Sequence, residues 1–170
     1  PPRSGIVRAG NLPSPTGRLI GRAQDVATLL EDLGLARVVT LTGVGGIGKT
    51  RLALEVGRQV QASWPDGVWF APLETANRPD EMLGSLLSLL SIEPGPGTPL
   101  DALVEGLRVR RALLILDNCE HLLDAVAAVV TDIVSRCPEI GVLATSREPL
   151  DVDGERSRRV RSLSSGEGGA

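Results

Sequence analysis

The stretch RVVTLTGVGGIGKTRLALEVGRQV, from Arg37 to Val60, restricts the possible folds more than any other part of the 170 residues. Arg37 to Leu41 is a short β-branched run that gives way to glycines, which predicts a buried strand entering a loop. From about Lys49 onward, Leu52, Val56 and Val60 recur at intervals of four, as on one face of a helix. A strand, a glycine-rich loop and a helix in that order form a single unit, and its loop, Gly43 to Thr50, reads GVGGIGKT and matches GxxxxGK[ST].

The chemistry of that loop follows from its residues. Glycines adopt backbone angles closed to other residues, so successive N–H groups can turn inward toward phosphate oxygens. The unpaired N–H groups and the positive end of the following helix add to the same pocket. Lys49 is the only lysine, the other seventeen basic residues being arginine. A compact ammonium on a flexible stem reaches β- and γ-phosphates inside a tight loop, where a planar guanidinium does not fit in the same way. Gly43, Val44, Gly45, Gly46, Ile47, Gly48, Lys49, Thr50 and Arg51 are therefore the expected nucleotide contacts, with the Thr50 hydroxyl directed at Mg²⁺.

Beyond this unit, strands and helices alternate. Strands are predicted at Gly67 to Leu73, Ala112 to Leu116, Gly141 to Thr145 and, short, at Arg158 to Val160. Helices are predicted over Val26 to Leu33, Pro79 to Ile92, Leu100 to Val109 and Glu120 to Arg136. With the loop, the pattern is that of an α/β, three-layer P-loop NTPase fold with a mostly parallel five-stranded sheet, and its resemblance to P-loop proteins with an extra strand between the loop strand and the carboxylate strand implies the order 2-3-4-1-5. Residues 1–15 hold four prolines with Gly, Ser and Asn and read as linker, although Asn11-Leu12-Pro13 suits packing against the domain. The P-loop domain is expected over 16–163, with a small polar tail at 164–170. With no initiator methionine, the sequence reads as a piece of something longer.

Two further strand ends carry chemistry. Ala112 to Leu116 (ALLIL) delivers Asp117 at its C-terminal edge, where ligands collect in open α/β sheets, making Asp117 the second expected Mg²⁺ ligand. Capping the following helix is a compatible second role. Asn118 stands where many P-loop proteins carry an acid. Glu120 is the nearest carboxylate, as the group that activates water or as a favourable charge at a helix start. The last of these strands ends in Thr145, Ser146 and Arg147, and with the order 2-3-4-1-5 it lies between the strands bearing the loop and Asp117. Arg147 then projects toward a γ-phosphate. Lys49, Glu120 and Arg147 are the candidate catalytic residues. His121 is assigned no role.

Net charge −3 and a pI near 5.2 argue against a wide phosphate-gripping face, so no direct nucleic-acid contact is expected from this segment. No apolar run approaches a membrane span and no signal sequence opens the chain, which points to a cytoplasmic location. Cys119 and Cys137 fall at opposite ends of a predicted helix, too far apart for a disulfide, and read as free thiols. The NKxD motif of guanine recognition needs a second lysine, so GTP-specific switching is excluded. A small-molecule kinase would need an arginine-rich lid, and the arginines are mostly scattered.

The segments LIGR (Leu19 to Arg22), GVGGIGKTRLA, LLILDNCEHL and VLATSREPL, in this order, resemble the nucleotide-binding domain of STAND ATPases, the NB-ARC-like class. The resemblance is strongest to AfsR-like and LuxR-type actinobacterial transcriptional regulators, and covers about residues 11 to 163. It implies that Ile20, Gly21 and Arg22 contribute to the adenine and ribose pocket, and that Arg147 senses the γ-phosphate. It implies a slow, Mg²⁺-dependent ATP/ADP switch working with other domains of a parent chain, and self-association in the ATP state. The alternatives are a nucleotide-binding scaffold without significant hydrolysis and, ranked below it, a P-loop small-molecule kinase. The helical lid and winged-helix domains that follow in the family are not in this sequence.

Overall fold

A computed structural model describes residues 9–15, 17 and 19–162; the tail expected at 164–170 and the first eight residues of the expected linker lie outside the described residues. Five strands form one parallel sheet: β1 (Val38–Thr42), β2 (Val68–Pro72), β3 (Ala112–Asp117), β4 (Ile140–Ser146) and β5 (Glu155–Arg159). Their spatial order is β2-β3-β4-β1-β5, the order expected from the sequence.

Strand side chains alternate between the two faces, and the sequence places apolar residues on both. Leu114, Leu116, Val142 and Ala144 face a core closed by α3 (Pro79–Leu89), α4 (Pro99–Leu107) and α5 (Leu123–Arg136). Leu113, Ile115, Val39, Leu41 and Leu143 face a second core closed by α1 (Ala23–Leu35) and α2 (Lys49–Gln59). Burying each such leucine contributes about 2 kcal/mol. β1, β3 and β4, flanked by strands and covered on both faces, are buried along their whole lengths.

Local signals start and stop the helices. Thr98 and Asp101 form a reciprocal capping box at the start of α4, the Thr98 hydroxyl accepting from the Asp101 amide at 3.1 Å, with Pro99 in the first turn. The predicted helix over Glu120 to Arg136 is divided: Cys119–Leu122 is a 3-10 turn, and α5 begins at Leu123. Asn118, at φ 60°, makes the sharp left-handed turn between β3 and that turn. At the other end of α5, the Arg37 guanidinium donates to the carbonyls of Val134 and Cys137, which the helix leaves open, and to that of Ile140 at the start of β4.

The two edges of the sheet are finished differently. Asn11 lies along the outer edge of β2, where its side-chain amide donates to the Phe70 carbonyl at 2.9 Å and accepts from the Phe70 N–H at 2.6 Å. Leu12 packs beneath it into the core closed by α1 and α2. At the opposite edge, β5 begins three residues before the short strand expected at Arg158 to Val160 and is wholly polar. It is held to α1 by charge: Arg156 and Arg158 grip Asp32, which is 1% exposed, at 3.0 and 2.6 Å.

Candidate functional site

The glycine-rich loop leaves β1 at the C-terminal edge of the sheet and ends at Gly48, whose φ of 96° lets α2 start at once with Lys49. The Lys49 ammonium donates to the carbonyls of Gly43 and Val44 at 2.8 and 2.9 Å, curling back under the loop. It is only 7% exposed. Burial lowers its pKa from the ordinary lysine value, opposed by the charge of Glu120 and then reinforced by Arg147, with Asp117 again opposing.

One residue into α2, the Thr50 hydroxyl donates to Asp117 Oδ1 at 2.7 Å. The loop of β1 and the end of β3, two strands apart, thus meet at a single oxygen. The strand between them supplies a third group: the hydroxyl of Thr145, fully buried at the end of β4, also donates to Asp117 Oδ1 at 2.7 Å. That hydroxyl accepts the Asn118 N–H at 3.0 Å. The Asn118 side chain bridges Asp117 Oδ2 and Glu74 Oε2, each at 3.3 Å. An amide sits between two carboxylates where an acid would repel both.

A cavity of about 410 Å³ lies in front of this network, lined by Gly45, Gly46, Gly48, Lys49, Thr50, Arg51, Asn118, Glu120 and Arg147. The structure therefore gathers most of the loop residues with Glu120 and Arg147 around one space. Arg147 comes so close to the loop that a side chain on Gly45 would stand 3.3 Å from its guanidinium. Glu120 Oε1 is buried at this site with no hydrogen-bond partner, an arrangement that costs free energy unless something else fills it.

Ile20 and Gly21 line a different pocket, of about 750 Å³, between the start of α1 and the outer side of α2, with Val26, Glu55 and Gln59 also on its wall. Ile20 is 75% exposed. Arg22 borders that pocket too, but its guanidinium is turned inward, bonded to Asp25 and to the carbonyls of Ile47 and Arg161. Val44 stands exposed at the loop's outer tip.

The other candidates play no part in this cavity. His121 hydrogen-bonds through Nε2 to the Ala76 carbonyl at 2.7 Å. Cys119 and Cys137 are both free and buried, and burial raises each thiol's pKa, so neither is a ready nucleophile. Two contributors lay beyond the sequence reading. Thr145 was visible as one of two hydroxyls closing a strand but carried no assigned role. Glu74, in the loop after β2, gave no signal.

An open parallel sheet in this order, with a cavity between a glycine-rich loop and the end of β3, defines a P-loop ATPase-type fold. Solved structures agree on the fold. Cdc6p from Pyrobaculum aerophilum matches with a TM-score of 0.65 at 18% identity, over 86% of this chain and 48% of that one. A Signal Transduction ATPase with Numerous Domains from Pyrococcus horikoshii, which carries a tetratricopeptide repeat sensor, matches at 0.57 and 20% identity, over 86% of this chain and 24% of that one. No protein-family model matches the chain.

Among sequences, an uncharacterized protein of Mycobacterium tuberculosis is 42% identical over 141 residues, covering 82% of this chain and 35% of its own length. Regulatory protein AfsR of Streptomyces griseus is 31% identical over 160 residues, covering 86% of this chain and 16% of its own. The chain thus spans about a third or less of the length of these relatives. Taken with the fold, the chain fits a STAND-like P-loop ATPase domain of AfsR-like regulators. Among the described residues no helix is long and apolar enough to cross a membrane.

Proposed function

We propose that this domain binds ATP and ADP at the loop from Gly43 to Thr50 and works as a slow, Mg²⁺-dependent ATPase switch. It would serve a larger cytoplasmic regulator of transcription or signalling, together with the other domains of that regulator. The observation that carries the reading is the convergence of Thr50 and Thr145 on one oxygen of Asp117, at 2.7 Å each, beside the Lys49 ammonium.

The donor set suits magnesium. One hydroxyl and one carboxylate side by side are hard oxygen ligands, and Mg²⁺ is held by one or two such groups while phosphates and waters complete its shell. The described residues contain no cluster of three or more His, Cys, Asp or Glu side chains that would favour another ion. Bound there, the ion would neutralise charge on the β- and γ-phosphates.

The chain's own residues do the rest. The loop amides and the start of α2 bind phosphate oxygens. Lys49 exchanges its two carbonyl partners for phosphate, recovering the cost of its burial. Arg147, held against Gly45, meets the γ-phosphate and separates ATP from ADP by charge. Glu120, its Oε1 unpartnered, orients water for attack. The helical lid and winged-helix domains of the family would close over the nucleotide, and ATP-dependent self-association would be one output.

A scaffold that binds nucleotide without significant hydrolysis is the second reading, favoured by Asn118, whose amide occupies the position next to Asp117 where an acid would stand. Calorimetric titration of ATP and ADP, with and without Mg²⁺, followed by single-turnover hydrolysis, tests both. Binding without turnover selects the scaffold. Absence of binding in wild type, or equal binding by Lys49→Ala, overturns both readings.

A further inference from the structure

Arg22 precedes α1 and is 7% exposed, although arginines at a domain's surface ordinarily keep their heads in water. Its guanidinium makes three hydrogen bonds. Nη1 donates to Asp25 Oδ2 at 3.0 Å and to the Arg161 carbonyl at 2.8 Å; Nη2 donates to the Ile47 carbonyl at 2.9 Å. Asp25 holds the charge in place, and the two carbonyls belong to two different segments, the glycine-rich loop and the stretch that follows β5.

The Ile47 carbonyl matters because of peptide planarity. The C=O of Ile47 and the N–H of Gly48 lie on one rigid plane and point in opposite directions. A donor that fixes the carbonyl on the outer side of the loop therefore aims the Gly48 N–H at the inner side. Gly48 lines the cavity in front of Asp117. Its φ of 96° carries no intrinsic preference that would set this peptide by itself.

The segment after β5 is coupled to the loop at neighbouring points. The Val160 N–H donates to the Thr42 carbonyl at 2.7 Å, and a side chain on Gly43 would stand 2.9 Å from the Val160 carbonyl. Upstream, Asp32 holds Arg156 and Arg158, so β5 is anchored to α1 while its continuation rests on the loop. Rotation of the peptide between Ile47 and Gly48 must break or strain the bond to Arg22, and the same guanidinium carries the bond to Arg161.

We infer that Arg22 is a positioning residue that aims the Gly48 amide at a phosphate group and transmits the state of that peptide to residues 160–162. This rests on the reading that the loop binds nucleotide. It assigns Arg22 to phosphate recognition and to communication with the chain beyond β5, not to contact with the base.

Two measurements on the 170-residue chain test it. Hydrogen exchange at residues 160–162, with and without ADP at saturation, is expected to slow by roughly tenfold in wild type. In Arg22→Gln that response is lost, and in Arg22→Lys, which keeps the charge but not the planar fork, it is reduced. Calorimetry with ADP and with adenosine is expected to place the loss in Arg22→Gln on ADP, which has phosphates, and not on adenosine. Equal losses for the two ligands overturn the inference, as does a full exchange response in both variants. If wild type binds ADP and residues 160–162 do not respond, the inference falls while the nucleotide reading stands. If wild type binds no ADP, both fall. The wild-type exchange comparison needs no variant, so a misfolded Arg22→Gln does not shield the idea.

Discussion

Thr145, fully buried at the end of β4, donates its hydroxyl to Asp117 Oδ1 at the same 2.7 Å as Thr50 does from α2. One carboxylate oxygen is thereby fixed from two elements, a helix and a strand, which together hold the Asp117 side chain in one direction. Thr145→Val keeps the shape but leaves the Asn118 N–H without its acceptor, so a loss of about 1–3 kcal/mol is expected in chemical denaturation. Apparent Mg²⁺ affinity in the presence of ATP should fall by at least about tenfold, as when a group that orients a metal ligand is removed. Thr145→Ser should restore both. An unchanged Mg²⁺ titration in Thr145→Val would count against Asp117 as the metal carboxylate.

Lys49 should show function and stability pulling in opposite directions. Its ammonium is buried and its pKa lowered chiefly by desolvation, so Lys49→Met removes a charge the folded state disfavours. The thermal midpoint of Lys49→Met is expected to equal or exceed that of wild type. ATP affinity in calorimetry should drop by at least about tenfold with the loss of a charge-assisted phosphate contact. A variant that is less stable and binds ATP as wild type does would contradict both parts.

Glu120→Gln separates the two roles open to that residue. As the group that orients water, its loss should slow single-turnover ATP hydrolysis by about 10²-fold or more while ATP binding persists. As a favourable charge near a helix start, its loss should cost only about 0.3–1 kcal/mol of stability and leave turnover alone. Asp117→Ala serves as the reference, with both Mg²⁺ dependence and turnover lost.

The Asp32 carboxyl is held below the usual carboxylate range, first by its hydrogen bond from Arg158 and further by Arg156, against the opposing effect of burial. Since it is harder to protonate folded than unfolded, its contribution is complete above the unfolded carboxylate value and is lost as pH falls through the lowered folded one. Asp32→Asn should lower stability near neutral pH by about 2 kcal/mol. Its urea midpoint should also fall less steeply than that of wild type between about pH 5 and pH 2. Parallel pH profiles would mean that the pair carries no such linkage.

Asp32 also marks where the sequence stops being informative. The strand order and the loop were legible because each is written in contiguous residues: ALLIL before Asp117, glycines before Lys49. On α1, by contrast, Val26, Leu29, Leu30 and Leu33 form the expected apolar face, yet Asp32 is more deeply buried than Leu30 or Leu33. Its partners lie more than 120 residues away, in a strand with no apolar alternation. That is why the last strand was expected to be short and to start late. Pairing with β1 and the charge of Asp32, not hydrophobic burial of its side chains, fasten it.

Within the site the same division holds. Thr50, Asp117, Glu120 and Arg147 could be nominated from their places at strand and loop ends, because an open α/β sheet brings those ends to one edge. The link from Arg22 to Ile47 and Arg161 could not, since two of its bonds go to carbonyls, and main-chain acceptors leave no trace in side-chain identity. Glu74 meets Asn118 only through the left-handed turn that Asn118 makes after β3.

Asn11 has a consequence for how copies of this molecule meet. By answering both main-chain groups of Phe70, a single carboxamide imitates the next strand and seals one margin of the sheet against templated growth. The other margin, β5, is guarded by arginines instead, and mutual repulsion of that kind fades as ionic strength rises. Concentrated salt should therefore expose one side of the sheet to sticking and leave the Asn11 side closed.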